Sequence, residues 1–407
     1  MANSFGQVTR LIVKTQAGLE EVLAAEIRAM GGANVEILRR AVAFDGDKAL
    51  IYKACYTLRT AMRVLFPVTQ FKASDDKKLY EQMRLLPWHQ WLSNDMTFAV
   101  DAAISGSLFN HSQYVALKAK DAIADYFRDR TGRRPDVNTE KPDLRIHLHI
   151  NEDHLSLYFD ASGDSLHKRG YRIITDKAPI SEVLAAGLIS LSGWDGKQPF
   201  VDAMCGSGTI AIEAAMVAMA IPAGYYRKHF GFMGWNDFDA ALFKNIRDEA
   251  DSQIKESDVR IMASDNSNRA LDIARKNLEH ARLHKHIHLF RKNMEVLKPP
   301  PGPGVLIINP PYGERLPEKD IIALYKMIGN SLKHNFKGYK AWVVSSDLHA
   351  LKYVGLKPSK KITVFNGPLE CRFACFDIFD GSLSEYKRLK NNRAEPVQSI
   401  ENPRHDE

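Results

Sequence analysis

Five short apolar runs recur through the second half of the chain, at 199–204, 259–264, 288–291, 305–309 and 340–345, with longer stretches between them. Runs that are apolar at nearly every position, rather than at every second one, belong to strands buried on both faces. Separated by helix-length segments, they predict a parallel, doubly wound α/β sheet. The residues that follow these strands carry the strongest functional signals.

The first 160 residues have a different texture. A strand at 8–14 leads into a helix at 17–30, where Leu19, Val22, Leu23 and Ile27 recur at helical spacing before Gly31-Gly32. Two short strands at 35–38 and 41–44 and a helix from 47 to 55 complete the strand, helix, strand, strand, helix order of a ferredoxin-like unit. A second α+β stretch follows. It has a strand at 97–103, a helix at 112–129 with Tyr114, Leu117 and Ile123 on its apolar stripe, and a hairpin from 144–150 and 155–160. A chain of 407 residues exceeds one ordinary core. The expected division is 1–57, 58–162, 163–381 and a polar tail at 382–407.

Composition narrows the function class. With 45% hydrophobic and 26% charged residues the chain is globular rather than disordered, and no window is long and apolar enough for a membrane helix. No basic stretch followed by an apolar one opens the sequence, so a secretory leader is not expected. Cys55, Cys205, Cys371 and Cys375 are too scattered for a disulfide framework and are read as reduced cytoplasmic thiols. The net charge of +7 favours a polyanionic partner.

The first motif is Val201-Asp202-Ala203-Met204-Cys205-Gly206-Ser207-Gly208-Thr209, between a buried strand and a helix. Gly206 and Gly208 let the backbone approach a ligand, and the helix starting near Thr209 offers free amides. A nucleotide-like cofactor fits. Because Gly206-Ser207-Gly208-Thr209-Ile210-Ala211 also satisfies a dinucleotide fingerprint, a dehydrogenase is a rival. Asp265, ending the next buried strand and followed by Asn266, can accept both hydroxyls of a ribose, or can simply cap a helix. It lies much farther from the glycines than the roughly 20 residues of a dinucleotide fold, which counts against the dehydrogenase.

The decisive string is Asn309-Pro310-Pro311-Tyr312, at the end of the apolar run 305–309. Consecutive prolines remove two backbone donors and stiffen the loop, leaving the Asn309 side-chain oxygen and the Pro310 carbonyl as aimed acceptors beside an aromatic ring. An exocyclic amine on a nucleobase is a poor nucleophile because its lone pair is delocalised into the ring. Two acceptors on its hydrogens favour the pyramidal form that develops on methylation, while Tyr312 stacks on the base.

This tetrad with the Asp202 to Gly208 loop resembles the class I S-adenosylmethionine-dependent methyltransferases that act on exocyclic amines. The extended string from Asn309 to Leu316 is similar to the large-subunit ribosomal RNA guanine-N2 methyltransferases, a family also labelled N6-adenine-specific DNA methylases. Leu58-Arg59-Thr60-Ala61, Arg134-Pro135-Asp136-Val137, Pro142-Asp143-Leu144-Arg145-Ile146 and His167-Lys168-Arg169-Gly170-Tyr171-Arg172 resemble that family's ferredoxin-like and THUMP regions. Ala178-Pro179-Ile180 resembles the segment leading into its catalytic domain. The resemblance implies a Rossmann-like methyltransferase domain behind ferredoxin-like and THUMP units. It implies that Pro179, Asp202, Cys205, Gly206, Ser207, Gly208, Thr209, Asp265, Asn266 and Asn293 bind S-adenosylmethionine. Asp265 would take the ribose and Asn293 the adenine edge, although the segment around Asn293 lacks the acidic residue frequent there in related enzymes. Asn309, Pro310, Pro311 and Tyr312 would hold the target amine. Some bacterial members carry a further C-terminal methyltransferase unit, so only the amine-methylating half is inferred.

Basic residues at Lys118, Lys120, Arg133, Arg134, Arg145 and Arg169 are expected to meet RNA phosphates. The alternating histidines at 147 and 149 and at 284, 286 and 288 lack further ligands, and no metal is expected. The aromatic and basic insertion 225–235 reads equally as a stacking platform or as a lid packed on the sheet. Transfer RNA guanine N2, DNA adenine N6 and a non-catalytic RNA-binding assembly factor remain rivals to the ribosomal RNA reading.

Overall fold

The computed structural model describes residues 7–106, 108–175, 179–311 and 317–379, and the chain forms two sheets. The first contains β1 (Thr9–Lys14), β2 (Ala33–Leu38), β3 (Ala41–Gly46), β4 (Arg63–Lys72), β5 (Thr97–Ser105), β6 (Asp136–Val137), β7 (Leu144–Asn151) and β8 (His154–Asp160). Its strand order is β2-β3-β1-β4-β8-β7-β5-β6. The helices α1 (Glu20–Met30), α2 (Lys48–Thr57), α3 (Asp76–Leu85) and α4 (Ser112–Thr131) complete this half. β4 pairs β1 on one side and β8 on the other, so the ferredoxin-like order and the following α+β stretch share a single sheet.

Local chemistry explains most of these boundaries. α1 stops where Gly31 adopts a left-handed conformation, and α2 starts where the Asp47 carboxylate accepts from the Leu50 amide. The apolar stripe expected on α4 is corrected: Tyr114 and Leu117 are each 49% exposed, while Val115, Ala119, Ala122, Ile123 and Phe127 are buried. The small alanines let the helix approach the core closely, which turns the larger Tyr114 and Leu117 outward.

The second sheet has the order β11-β10-β9-β12-β13-β15-β14. Its strands are β9 (Phe200–Asp202), β10 (Ile261–Asp265), β11 (Ile287–Arg291), β12 (Gly304–Ile308), β13 (Tyr339–Ser345), β14 (Lys360–Asn366) and β15 (Leu369–Asp377). The first five are parallel, and β15 runs antiparallel to both β13 and β14. Its helices are α5 (Glu182–Ser192), α6 (Thr209–Ala218), α8 (Asn268–His280) and α9 (Glu318–Asn335), whereas α7 (Ala240–Asp251) packs against α2 of the first half. Alternate strand residues feed two cores. Phe200, Val305 and Ile307 pack with α5, α6 and α8, whereas Val201, Leu306 and Ile308 pack with α9. The chain winds from β9 outward to β11 and then returns to β12 on the other side of β9, which opens a crevice at the carboxyl ends of these strands.

The segment between α6 and β10 crosses to the first half. Phe230, Phe232 and Trp235 are buried in the N-terminal core, with the Phe232 ring stacked 4.3 Å from that of Tyr52. Arg227 donates to the carbonyls of Ser162, Asp164, Ser165 and Lys168. The aromatic insertion is therefore a strap between the two halves rather than an exposed platform. Among the described residues no helix is long and apolar enough to cross a membrane.

Candidate functional site

The crevice is a cavity of about 750 Å³, within the range of small-molecule sites. Four consecutive parallel strand ends supply its walls: Cys205, Gly206 and Ser207 after β9, Asp265 to Ser267 at β10, Lys292 to Glu295 after β11, and Asn309 and Pro311 after β12. Thr209 opens α6, Pro179 and Ile180 enter from the linker, and Asp320, Leu324 and Met327 close one side from α9.

The two glycines act differently. Gly206 has φ +54°, and a Cβ added there would meet nothing within 4 Å, so its missing side chain leaves open space at the cavity. Gly208 has φ +83°, and a Cβ there would press on Leu278 at 3.0 Å and Ala274 at 3.4 Å, so it allows α8 to pack. Asp265 braces this loop. One of its oxygens accepts from the Gly206 amide at 3.0 Å and the other from the Ser267 amide at 2.9 Å, while Asn266 is exposed. Ser267, not Asp265, is the N-cap of α8.

Asp202 lies beneath the loop, fully buried, and among the described residues neither carboxylate oxygen makes a well-formed hydrogen bond, the amides of Ala211 and Met204 approaching it only loosely. Burial first, then the nearby Asp265 charge, pushes its carboxyl up to about 8, which the amides of Ala211 and Met204 offset only in part. Burial likewise drives the Cys205 thiol well above its usual range, so it is an inert wall and not a nucleophile. Asn293 is exposed, accepts from the Glu295 amide and donates to the Glu295 carboxylate at 3.1 Å.

Asn309 is the unusual member. Among the described residues its buried Oδ1 has no hydrogen-bond partner, although the residue lines the cavity. A buried acceptor left unpaired costs about 1–3 kcal/mol, so its position is held by the stiff Asn-Pro-Pro backbone and not by a bond of its own. Pro310 is buried behind the wall that Asn309 and Pro311 form. Tyr312 lies outside the described residues.

Two residues have a role here that the sequence reading did not assign to them. Arg172 donates to the Thr209 hydroxyl at 2.7 Å and the Ile180 carbonyl at 2.9 Å, and pairs with Glu182 at 3.3 Å. Asn277, 1% exposed on α8, accepts from the amides of Ile173 and Ile174 and donates to the carbonyls of Ile174 and Ser207. Together they bind the linker to the back of the glycine loop. The only sequence signal was a polar residue, Asn277, on the apolar face of an amphipathic helix.

The expected phosphate contacts divide into two groups. Arg169 is 1% exposed, faces Glu213 at 3.5 Å and donates to the carbonyls of Leu166 and Arg59. Arg145 is 8% exposed, paired with Asp101 at 2.9 Å and donating to the carbonyls of Thr139 and Glu140. Both expectations are corrected: these guanidiniums are spent on internal acceptors and cannot reach a phosphate. Lys118, Lys120, Arg133 and Arg134 are at the surface, each beside a carboxylate, Asp76, Asp121, Asp95 and Asp125 respectively.

Comparison with known proteins bears on this geometry. A family model described as the RMKL-like methyltransferase domain matches residues 169–374, a THUMP domain model matches 73–160, and an RlmL ferredoxin-like domain model matches 10–65. A ribosomal RNA large subunit methyltransferase K/L from Syntrophotalea carbinolica is 38% identical over 374 residues, which cover 89% of this chain and 52% of that relative. The chain thus spans about half the length of the curated relatives it matches. Among solved structures, SMU.472 in complex with SAH aligns with a TM-score of 0.82 and 31% identity, covering 92% of this chain and 100% of the other. A predicted N6-adenine-specific DNA methylase from Listeria monocytogenes aligns with a TM-score of 0.81 and 29% identity, covering 91% and 97%.

Proposed function

The chain belongs to the RMKL-like methyltransferase family, and from that premise we propose that it methylates an exocyclic amine of RNA, specifically guanine N2 in large-subunit ribosomal RNA. The methyl donor is S-adenosylmethionine, which when bound supplies an electrophilic sulfonium methyl. The ribosomal substrate is supported by the name of the Syntrophotalea relative, and the donor by the SAH complex of SMU.472.

One observation carries the reading: the Asn309 Oδ1 is a buried acceptor with no partner, on the wall of the cavity that Gly206 and Asp265 also line. We assign the glycine loop, Pro179, Asp265, Asn266 and Asn293 to the cofactor, with Asp202 buried beneath the loop as a carboxyl whose ionisation a cation bound nearby would favour. Asn309 Oδ1 and the Pro310 carbonyl accept the two amine hydrogens, which localises the nitrogen lone pair toward the methyl. The acceptors gain strength as the nitrogen becomes cationic, so they stabilise the transition state more than the bound amine. Pro311 keeps the loop rigid, and Tyr312 stacks on the base. After transfer the nitrogen is acidic enough to lose its proton to water, and no strong base is required of the chain.

The division of labour follows the sheets. Residues 1–57 and 58–162 dock RNA, with Lys118, Lys120, Arg133 and Arg134 among the phosphate contacts, and 163–381 perform the chemistry in the cytoplasm. The test is mass spectrometry of nucleosides after the chain is incubated with deuterated-methyl donor and unmodified large-subunit ribosomal RNA. Labelled N2-methylguanosine is expected. Label in N6-methyladenine, or in transfer RNA alone, would overturn the assignment.

A further inference from the structure

The N-terminal sheet packs one face against its helices, and among the described residues the charged and half-buried side chains gather on the other. Leu11, Val13, Val42, Phe44, Val64, Phe66, Ile146, Leu148 and Phe159 point into the core. The intervening positions make up the opposite face, and the strand registers bring Lys14 directly across from Arg63, and Tyr158 across from His147. Like charges placed opposite each other across a strand pair are destabilising, so this arrangement needs a reason.

Counter-ions within the fold account for only part of it. Arg63 is paired with Asp160, Arg145 with Asp101, and Arg10 with Glu36 and Asp45. Among the described residues neither the Lys14 ammonium nor the Arg40 guanidinium at the adjoining turn makes a hydrogen bond or ion pair. Lys14 is half-buried, and its neighbours Arg40 and Arg63 add to the burial that holds its pKa below the usual lysine value. His147 keeps a buried Nε2 without a partner, and its ring lies 6.5 Å from that of Tyr158. Burial, followed by Lys14 and Arg63, depresses His147 to about 3, so it is a neutral donor or acceptor here and not a cation. Lys118, Lys120 and Arg128 on α4, in contrast, each already have a carboxylate beside them.

We propose that this sheet face, centred on Lys14 and Arg40 with His147, His149 and Tyr158 beside them, docks the sugar–phosphate backbone of single-stranded RNA. The proposal rests on the RNA reading above and adds the surface that does the holding. Phosphate supplies the anion that Lys14 and Arg40 lack, and Tyr158 and His149 offer flat rings and polar atoms to a base or a ribose. Because Lys14 and Arg40 fall within the ferredoxin-like match and His147, His149 and Tyr158 within the THUMP match, the surface spans both N-terminal units. A strand bound here would tie their relative orientation to the substrate.

The experiment uses the full chain, a fluorescently labelled single-stranded RNA and anisotropy titrations at several salt concentrations. Lys14→Gln and Arg40→Gln should each weaken binding about 3- to 10-fold and reduce the slope of log affinity against log salt by about 0.7, the release expected for one phosphate contact on a single strand. SAH affinity should not change, and the Lys14→Gln melting temperature should hold or rise, because a repulsion is removed. A lysine retained for the fold alone would behave in the opposite way. Arg40 is exposed on a turn, so its variant keeps the test open should the Lys14 variant fold poorly. Wild-type affinity and salt slope in both variants would overturn this inference while leaving RNA as the substrate. A wild-type chain that shows no salt-dependent RNA binding would overturn the RNA reading itself.

Discussion

Replacing Asn277 with alanine asks whether the linker and the glycine loop are held as one unit. The side chain makes four hydrogen bonds, at 3.1 and 3.3 Å from the Ile173 and Ile174 amides and at 3.1 Å to the carbonyls of Ile174 and Ser207. Alanine strands all four backbone groups. Ile173 is 55% exposed and Ile174 half-buried, so water replaces about two of the three bonds on the linker side, and about two groups, the Ser207 carbonyl among them, stay unsatisfied. At roughly 1–2 kcal/mol for each, the loss is about 3 kcal/mol. For a domain of this size that corresponds to a fall of roughly 6–12 °C in the melting transition. The same change frees the Ser207 carbonyl at the cavity wall, so SAH affinity should fall about tenfold, or 1.4 kcal/mol. Scanning calorimetry and isothermal titration with SAH measure the two effects separately. A variant that melts lower yet binds SAH with wild-type affinity would refute the idea that Asn277 orders the loop.

Two further outcomes are expected. Asp202 is pushed from the ordinary 3.8 up to about 8, so between those values the native chain holds a proton that the unfolded chain has released, and stability falls as pH rises across that window. Asp202→Asn should flatten the decline of the melting temperature between pH 5 and 8; an unchanged slope would mean that Asp202 is not its source. Asp265→Ala removes the acceptor of the Gly206 amide and the assigned ribose contact, and SAH binding should weaken by about 1–3 kcal/mol, read by titration calorimetry. Equal affinity in a folded variant would take Asp265 out of the ribose role.

What could be read from the sequence was what is local. Gly206, Gly208, Asp265 and Asn309 were found because each ends a buried strand, and a doubly wound sheet brings strand ends together. β4 was missed because Pro67 argues against a central strand, and the register shift between Pro67 and Thr69 shows how the sheet accommodates it. Arg145 and Arg169 looked like phosphate contacts because counting charges along a chain cannot reveal Asp101 or Glu213 waiting across the fold. The structural roles of Arg172 and Asn277 were hidden for the same reason: their partners are brought near only by tertiary packing. The aromatic insertion was undecided until Phe230 and Phe232 were seen inside the N-terminal core.

The central claim is that the unpaired Asn309 acceptor acts on the target amine in the transition state. Its most direct test is single-turnover methyl transfer by Asn309→Ala, with cofactor and large-subunit ribosomal RNA both saturating. A loss of about 100-fold or more in rate is expected, the effect of removing one preorganised charge-stabilising contact, with SAH and RNA affinities near wild type. A wild-type rate would mean that Asn-Pro-Pro is only a turn at the end of β12, and the assignment of an exocyclic amine would be contradicted.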